Sequence, residues 1–365
     1  MDNKINWTVV MTYAGAFIAL LIGSGFATGQ EILQYFSAYG YMGVLGVVVV
    51  FLLFLYVGID FITTGYDHGI KGGKIYKYYC GDIIGTFYDY FSIIFIYSSC
   101  VVMISGAGAT INQQFGLPVF LGAVSIGILA AITVLFGLNR IVDVIGRIGP
   151  LLIVLTIILG IISLVRSPES MTSSNELIPT LDLMTASTNW FFAASSYVGF
   201  CMLWLAAFMS SLGASAKSKT DAKLGAICGA TGFSVALIIV TIGIMVNISD
   251  LADSMVPTLI LARNIHSSLA VFFSGIVVAG IYTTTVPLLW QVVARFSEEG
   301  TTKFKANTII LATLGIIIGL SVPFDRLVNI IYVINGYVGI LLLGFMVAKR
   351  IRTGIVSEGI SKGAD

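Results

Sequence analysis

The stretch Leu20–Leu33, LLIGSGFATGQEIL, decides how this chain is read. It lies inside the first long apolar run, yet it holds Gly23, Gly25 and Gly29 and adds Ser24, Thr28, Gln30 and Glu31. Irregular backbone at membrane depth survives only where it is buried in protein or lines a cavity. The glycines therefore have two readings. Gly25 and Gly29 form a GxxxG pattern that lets another helix pack closely, or the run breaks here to form half of a binding site. Glu31 favours the second, because an ionisable group deep in an apolar span is costly and usually functional.

The composition sets the class. Of 365 residues, 57% are hydrophobic and only 10% charged, against about 25% charged in ordinary globular proteins. So few charges cannot cover a soluble surface, and the chain reads as an all-α polytopic membrane protein. The net charge of +1 carries little information about partners, and with no basic tract a nucleic-acid partner is not expected. Cys80, Cys100, Cys201 and Cys228 show no metal-binding or redox spacing and read as small hydrophobes. The N-terminus, MDNKINWTVV, reads as part of a retained first span.

A span needs about 20 apolar residues. Ten runs qualify: 7–36, 41–63, 85–111, 118–138, 142–165, 190–212, 224–246, 268–294, 307–323 and 327–348. With the N-terminus cytoplasmic, 16 of the 19 Lys and Arg fall on the inner side, and only Arg166, Arg263 and Arg326 outside. The inner set is Lys4, Lys71, Lys74, Lys77, Arg140, Arg147, Lys217, Lys219, Lys223, Arg295, Lys303, Lys305, Lys349, Arg350, Arg352 and Lys362. That asymmetry predicts a multi-pass cell-membrane protein with both termini cytoplasmic. Residues 1–365 form one membrane domain, ending in a cytoplasmic tail over 351–365. A short helix is expected within Asn247–Ser267, over the outer mouth.

The sixth run holds a second small-residue cluster, Ser195-Ser196-Tyr197-Val198-Gly199-Phe200. It lies five spans after the first, and five is odd. Repeats of five would have opposite orientations, 1–165 against 190–350, as in many secondary transporters. Each repeat would open with a broken helix, and half-helix N-termini at the midplane favour an anion.

Ile22-Gly23-Ser24-Gly25 resembles the GSG signature in the broken first helix of the amino acid–polyamine–organocation superfamily, whose members share the LeuT fold. The wider GSGFATGQE is similar to the YkvI-like branch of that superfamily, related to branched-chain amino acid carriers. The resemblance implies ten helices as a 5+5 inverted repeat with helices 1 and 6 broken. It implies backbone amides from Gly25 to Gly29 on a substrate carboxylate. Carbonyls of Gly23 or Ser24 and of Tyr197 or Val198 would take the amine. Thr28-Gly29-Gln30-Glu31 stands where many members carry a proline. Ser105 and Gly106, with Gly108, are placed beside the cavity, and Tyr197, Phe200 and Trp204 as a gate or apolar wall.

The eighth run contains VVAGIYTTTVPLLW, Val277–Trp290. Thr283 to Thr285 either bond back to the preceding turn or offer oxygens to a cation. A carbonyl at i with hydroxyls at i+3 and i+4 shares one helix face. Gly280 with Thr283 and Thr284 fits that pattern, as does Ala279 with Thr283 if Tyr282 supplies the other hydroxyl. In LeuT-fold sodium symporters such a site lies against the helix-1 break, so the resemblance implies Gly23 and Phe26 carbonyls as further Na⁺ ligands. Glu31 keeps three readings: proton carrier, partner of a cation, or vestibule acid. Asp60, Asp89 and Asp143 sit near cytoplasmic helix ends, within reach of Arg140, Arg147 or water.

The expected function is a symporter importing a small organic solute, an amino acid or related zwitterion or amine, coupled to Na⁺. The alternative is proton coupling through Glu31. A channel would carry a pore loop or filter segment, and none is visible. An enzyme is not expected, because no base accompanies Ser24 and no Lys follows the glycines. No cofactor is implied beyond the coupling ion. Substrate identity and oligomeric state are left open by the sequence.

Overall fold

The first span breaks twice. In the computed structural model, which describes residues 5–136, 142–166 and 171–362, Asn6 caps α1 (Trp7–Leu21) by accepting from the Val9 amide at 3.3 Å. Ile22 and Gly23 then run extended before α2 (Ser24–Thr28). Gly29 follows in the left-handed region at φ 81°, and α3 (Gln30–Tyr35) resumes. A side chain at Gly29 would be strained, so glycine makes this second bend cheap. The three pieces together cover the run expected over 7–36.

The remaining runs match helices that overshoot them at one or both ends, except α6, which lies within its run. They are α4 (Tyr41–His68), α5 (Lys74–Phe115), α6 (Val119–Phe136), α7 (Val142–Arg166), α9 (Trp190–Ser215), α10 (Lys219–Met245), α13 (Ser267–Phe296), α14 (Thr302–Ser321) and α15 (Phe324–Lys362). Short helices α8 (Met171–Leu177), α11 (Ile248–Leu251) and α12 (Pro257–Ile265) connect them. Eight of the described helices are long and apolar enough, each alone, to cross a membrane. No strand occurs among the described residues. Large apolar side chains such as Leu52, Ile94, Ile128, Val235 and Leu341 point outward, as expected of a surface solvated by lipid. The helical backbone of α15 continues to Lys362, through most of the expected tail.

One expectation fails. The sixth run is not broken: α9 is continuous from Trp190 to Ser215. Its small residues serve a crossing instead. A Cβ at Gly199 would fall on the Gly336 carbonyl, and one at Gly339 on the Gly199 backbone. Gly336 in turn faces Ser196. Without a hydrophobic drive between helices in lipid, such close backbone approach is a main source of association. The Ser196 hydroxyl donates to Ala193 O at 3.0 Å, within its own helix.

Similar crossings set the rest of the bundle. Gly65 of α4 meets the Ser210 backbone of α9, and Gly213 of α9 meets that of Ile62. Gly225 and Gly229 of α10 seat Tyr13 and Phe17 of α1, and Gly160 of α7 lies on Gly243 of α10. Between them sits one continuous core in which Phe17, Phe26, Phe54, Tyr197 and Phe233 are fully buried.

Candidate functional site at the break in the first span

The chain path through Gly23–Gln30 turns α3 back toward α2. As a result the Glu31 side chain lies over Gly25, where any Cβ would overlap its carboxyl. Glu31 is 2% exposed. The vestibule reading of this acid is therefore set aside: the group is in the protein interior. The Tyr197 hydroxyl of α9 faces its Oε2 at 3.5 Å. Tyr35, Cys201 and Tyr332 complete its electrostatic surroundings. These come from α3, α9 and α15, so three helices converge on one carboxyl.

Rings extend from that point toward the other end of the bundle. Tyr35 packs edge-on to Tyr197 and Phe200, with centroids 5.4 and 5.7 Å apart. Phe200 stacks on Tyr332 at 4.7 Å, and Trp204 stands perpendicular to Tyr332 at 6.1 Å. Phe95 of α5 lies parallel to the Trp204 indole at 5.0 Å. The Tyr35 and Tyr332 hydroxyls, the Trp204 Nε1 and the Gln30 Oε1 are buried without hydrogen-bond partners. Tyr197, Phe200 and Trp204 were expected here from the sequence. Tyr35, Phe95 and Tyr332 were not, since an aromatic on an apolar helix carries no sign of which face it occupies.

At the break itself the backbone is largely self-satisfied. The Ala27 amide donates to Gly23 O and the Gly29 amide to Phe26 O, both at 3.1 Å. Thr28 Oγ1 donates to Gly25 O at 3.1 Å and lies 3.4 Å from the Gln30 amide. The amide row expected from Gly25 to Gly29 is thus partly used within α2. Ala27 O, freed by the bend, accepts from the Thr258 hydroxyl of α12 at 2.7 Å. The short helix expected within Asn247–Ser267 is α12, packed against the break. Gln113 of α5 pins its leading edge, accepting from the Val256 amide at 3.0 Å.

Other expected residues fall elsewhere. Gly106 packs on the Phe324 ring, Gly108 on Val119, and Ser105 under Gly319. That stripe of α5 is a packing surface for α15, α6 and α14. Met103, missed in the sequence, is the α5 residue that faces Gly23. Tyr197 and Val198 lie within the unbroken α9, where carbonyls accept amides one turn on. They are not freed for an amine as expected.

The threonine triplet bonds back along its own helix. Thr283 and Thr284 Oγ1 both donate to Gly280 O at 2.9 Å, and Thr285 to Ile281 O at 2.7 Å. Tyr282 points away from the break, its hydroxyl 2.6 Å from that of Thr133 on α6. The variant using Ala279, Thr283 and Tyr282 therefore does not assemble. Gly280 faces Leu152. The expected Na⁺ ligands Gly23, Phe26, Gly280, Thr283 and Thr284 already satisfy polar groups within α2 or α13. Among the described residues no three His, Cys, Asp or Glu side chains gather as a metal site.

At the end of the bundle rich in basic residues, Asp60 of α4 is 4% exposed. It accepts from Tyr79 Oη at 2.5 Å and pairs with the Arg350 guanidinium of α15. Arg295 of α13 meets Asp89 of α5 at 2.6 Å. Arg350 and Arg295 thus take the place expected of Arg140 and Arg147. Arg140, and the side chains of Asp143, Arg147 and Ser24, lie outside the described residues. At the opposite end Gln34 Nε2 donates to Asp325 O at 2.9 Å, and Asn329 Nδ2 to Gln34 Oε1 at 3.1 Å.

No protein-family model matches the chain. It is 25% identical over 345 residues to the uncharacterized membrane protein YkvI of Bacillus subtilis (strain 168), covering 92% of this chain and 95% of that one. It is 23% identical over 341 residues to the uncharacterized protein YyaD of the same organism, covering 92% and 96%. Among solved structures it is similar to substituted forms of the Eremococcus coleocola manganese transporter. One gives a TM-score of 0.61 at 13% identity and another 0.60 at 14%, each covering 95% of this chain and 80% of that one. The protein is thus a polytopic membrane protein whose fold is shared with that transporter.

Proposed function

We propose that this protein is a secondary active transporter that moves a small organic solute bearing an amine, in the class of amino acids, related zwitterions and amines, by alternating access. The observation that carries this reading is the doubly broken first span with Glu31 buried over Gly25. A broken helix with a sequestered carboxyl is costly, and a solute site accounts for it better than packing does. The transporter fold shared with the manganese carrier supports it. In this reading residues 1–165 and 190–350 are inverted repeats of a ten-span, LeuT-like protein with cytoplasmic termini. Spans 1, 2, 6 and 7 rock against spans 3, 4, 8 and 9. Manganese as cargo lacks support here, given the absence of a His, Cys, Asp or Glu cluster among the described residues.

Coupling has two candidates. Na⁺ would bind where α13 meets α2, at Gly280, Thr283 and Thr284 with the carbonyls of Gly23 and Phe26. A proton on Glu31 is the second. Thr283 and Thr284 donate to Gly280 O and keep their oxygen lone pairs for a cation. Proteoliposome uptake under an imposed Na⁺ gradient or an imposed pH gradient separates the two. Uptake that ignores Na⁺ and collapses with a proton ionophore rejects the sodium version. Absence of uptake under either gradient rejects the transporter.

A further inference from the structure

The basic end of the bundle carries a feature that the solute site does not use. Residues 69–81, GIKGGKIYKYYCG, hold three lysines and no acid. Gly69, Gly72 and Gly81 sit in the left-handed region, at φ 63°, 60° and 76°, where glycine turns cheaply. Gly81 folds the first two turns of α5 back, so that the Lys77 backbone lies where a Cβ at Gly85 would stand. The segment is therefore a strap between two glycine hinges. The end of α4 leads into it and the long part of α5 leads out.

One face of the strap is fastened. Ile75, Tyr76 and Tyr79 are buried. The Tyr76 hydroxyl donates to Leu203 O of α9 at 2.8 Å, and that of Tyr79 to Asp60 of α4 at 2.5 Å. The Gly72 amide donates to Ser211 Oγ of α9 at 2.9 Å, and Lys349 Nζ of α15 lies 3.7 Å from the centre of the Tyr78 ring. The other face is charged and open. Lys71, Lys74 and Lys77 are all exposed, and the last two share one helix face. Asp60, Asp67 and Asp89 already pair with Arg350, Lys219 and Arg295. Among the described residues no carboxylate, that of the exposed Asp82 included, forms an ion pair with the strap lysines.

The strap also lies at headgroup level. The 28 residues of α4 rise about 42 Å, against about 30 Å of hydrocarbon core, so a strap at its end stands outside the core. Just past Gly81 the apolar surface begins, with Ile83 89% and Phe87 54% exposed. Ammonium groups beside that edge meet phosphates and not acyl chains. We propose that residues 69–81 dock on anionic phospholipid headgroups of the adjoining leaflet through Lys71, Lys74 and Lys77. Anionic lipid favours a basic segment at the membrane surface about fivefold per lysine. Zwitterionic headgroups carry no net charge and give little of this. Because the tyrosines fasten the opposite face to α4 and α9, bound lipid steadies those helices as well.

The test uses the full-length protein in nanodiscs of phosphatidylcholine, alone or mixed with phosphatidylglycerol, read by amide exchange and thermal melting. Anionic lipid should slow exchange across residues 69–81 about fivefold or more and raise the melting temperature. Lys71→Gln/Lys74→Gln/Lys77→Gln should lose most of both effects. Lys217→Gln/Lys223→Gln/Lys303→Gln, at exposed lysines of the same end, should keep them. If the strap variant fails to fold, a salt titration of the unsubstituted protein decides. The difference between the two discs should shrink as the screening length falls from about 10 Å to about 3 Å. Equal exchange in both discs overturns the proposal, as does a difference that ignores salt. Equal loss in both triple variants also overturns it, since the general charge of this end would then act in place of the strap. Protection by millimolar inorganic phosphate in phosphatidylcholine discs, with no further gain from phosphatidylglycerol, assigns the lysines to a free anion and rejects the lipid.

Discussion

The carboxyl of Glu31 occupies the space that a side chain at Gly25 would need. The two residues are six apart in sequence, and only the bend at Gly29 brings them together. Gly25→Ala should therefore destabilise the protein by about 1–3 kcal/mol, the usual cost of overfilling a packed site. In Gly25→Ala/Glu31→Ala the clash is gone, so the double variant should lose less than the sum of the single ones. Thermal melting of the three proteins checks this. Simple additivity would mean that the two residues do not touch.

Gly199 gives a sharper contrast. A flexible hinge in α9 would let Gly199→Ala keep its stability, even gain about 1 kcal/mol of helix propensity, while losing transport. The crossing with Gly336 and Gly339 predicts the reverse order of events. Gly199→Ala should cost about 1–3 kcal/mol and lower the melting temperature before any transport assay is run.

The Asp60–Arg350 pair ties α4 to α15 at the basic end, with Tyr79 of α5 as third member. Asp60→Asn should destabilise by about 1–3 kcal/mol, in the range of charge-assisted hydrogen bonds, since the Arg350 side chain is half exposed. The reversed pair, Asp60→Arg with Arg350→Asp, should recover only part of that, because Tyr79 would lose its acceptor. Denaturant melts of the two variants and the unsubstituted protein in detergent measure the recovery.

Thr258 supplies the one bond by which α12 holds Ala27 O. Thr258→Val should cost about 0.5–1.5 kcal/mol and speed amide exchange across Ala27–Glu31. Exchange measured by mass spectrometry should show the change there and leave α13 as it was.

Replacing both Thr283 and Thr284 by valine removes the hydroxyls that donate to Gly280 O. Under sodium coupling the Na⁺ concentration for half-maximal uptake should rise about tenfold or more. Under proton coupling it should not move, and uptake should remain governed by the pH gradient.

The class of fold was plain from the apolar runs because lipid demands long segments, and ten charge-poor stretches each reached a helix or, in the first case, a chain of three. The first break was legible for the same reason: glycines around a carboxylate have few other uses at that depth. The sixth span misled because Ser195–Gly199 can either free a backbone or press it against another, and the sequence does not name the partner. That partner, Gly336–Gly339, lies 137 or more residues away, where no local pattern points to it. Tyr332 and Phe95 were invisible on like grounds. Their meaning lies in which ring they meet, which only the packing of α5, α9 and α15 decides.

The contact between Gly199 and Gly339 has one more implication. Backbones that touch through glycines leave no gap for sliding, so α9 and α15 must travel as a single strut. A division of the bundle that assigns only spans 1, 2, 6 and 7 to the mobile half then omits a member. In the alternating-access reading proposed above, the last span would ride with the sixth, and the Pro323 turn that leads into it would take up the bend.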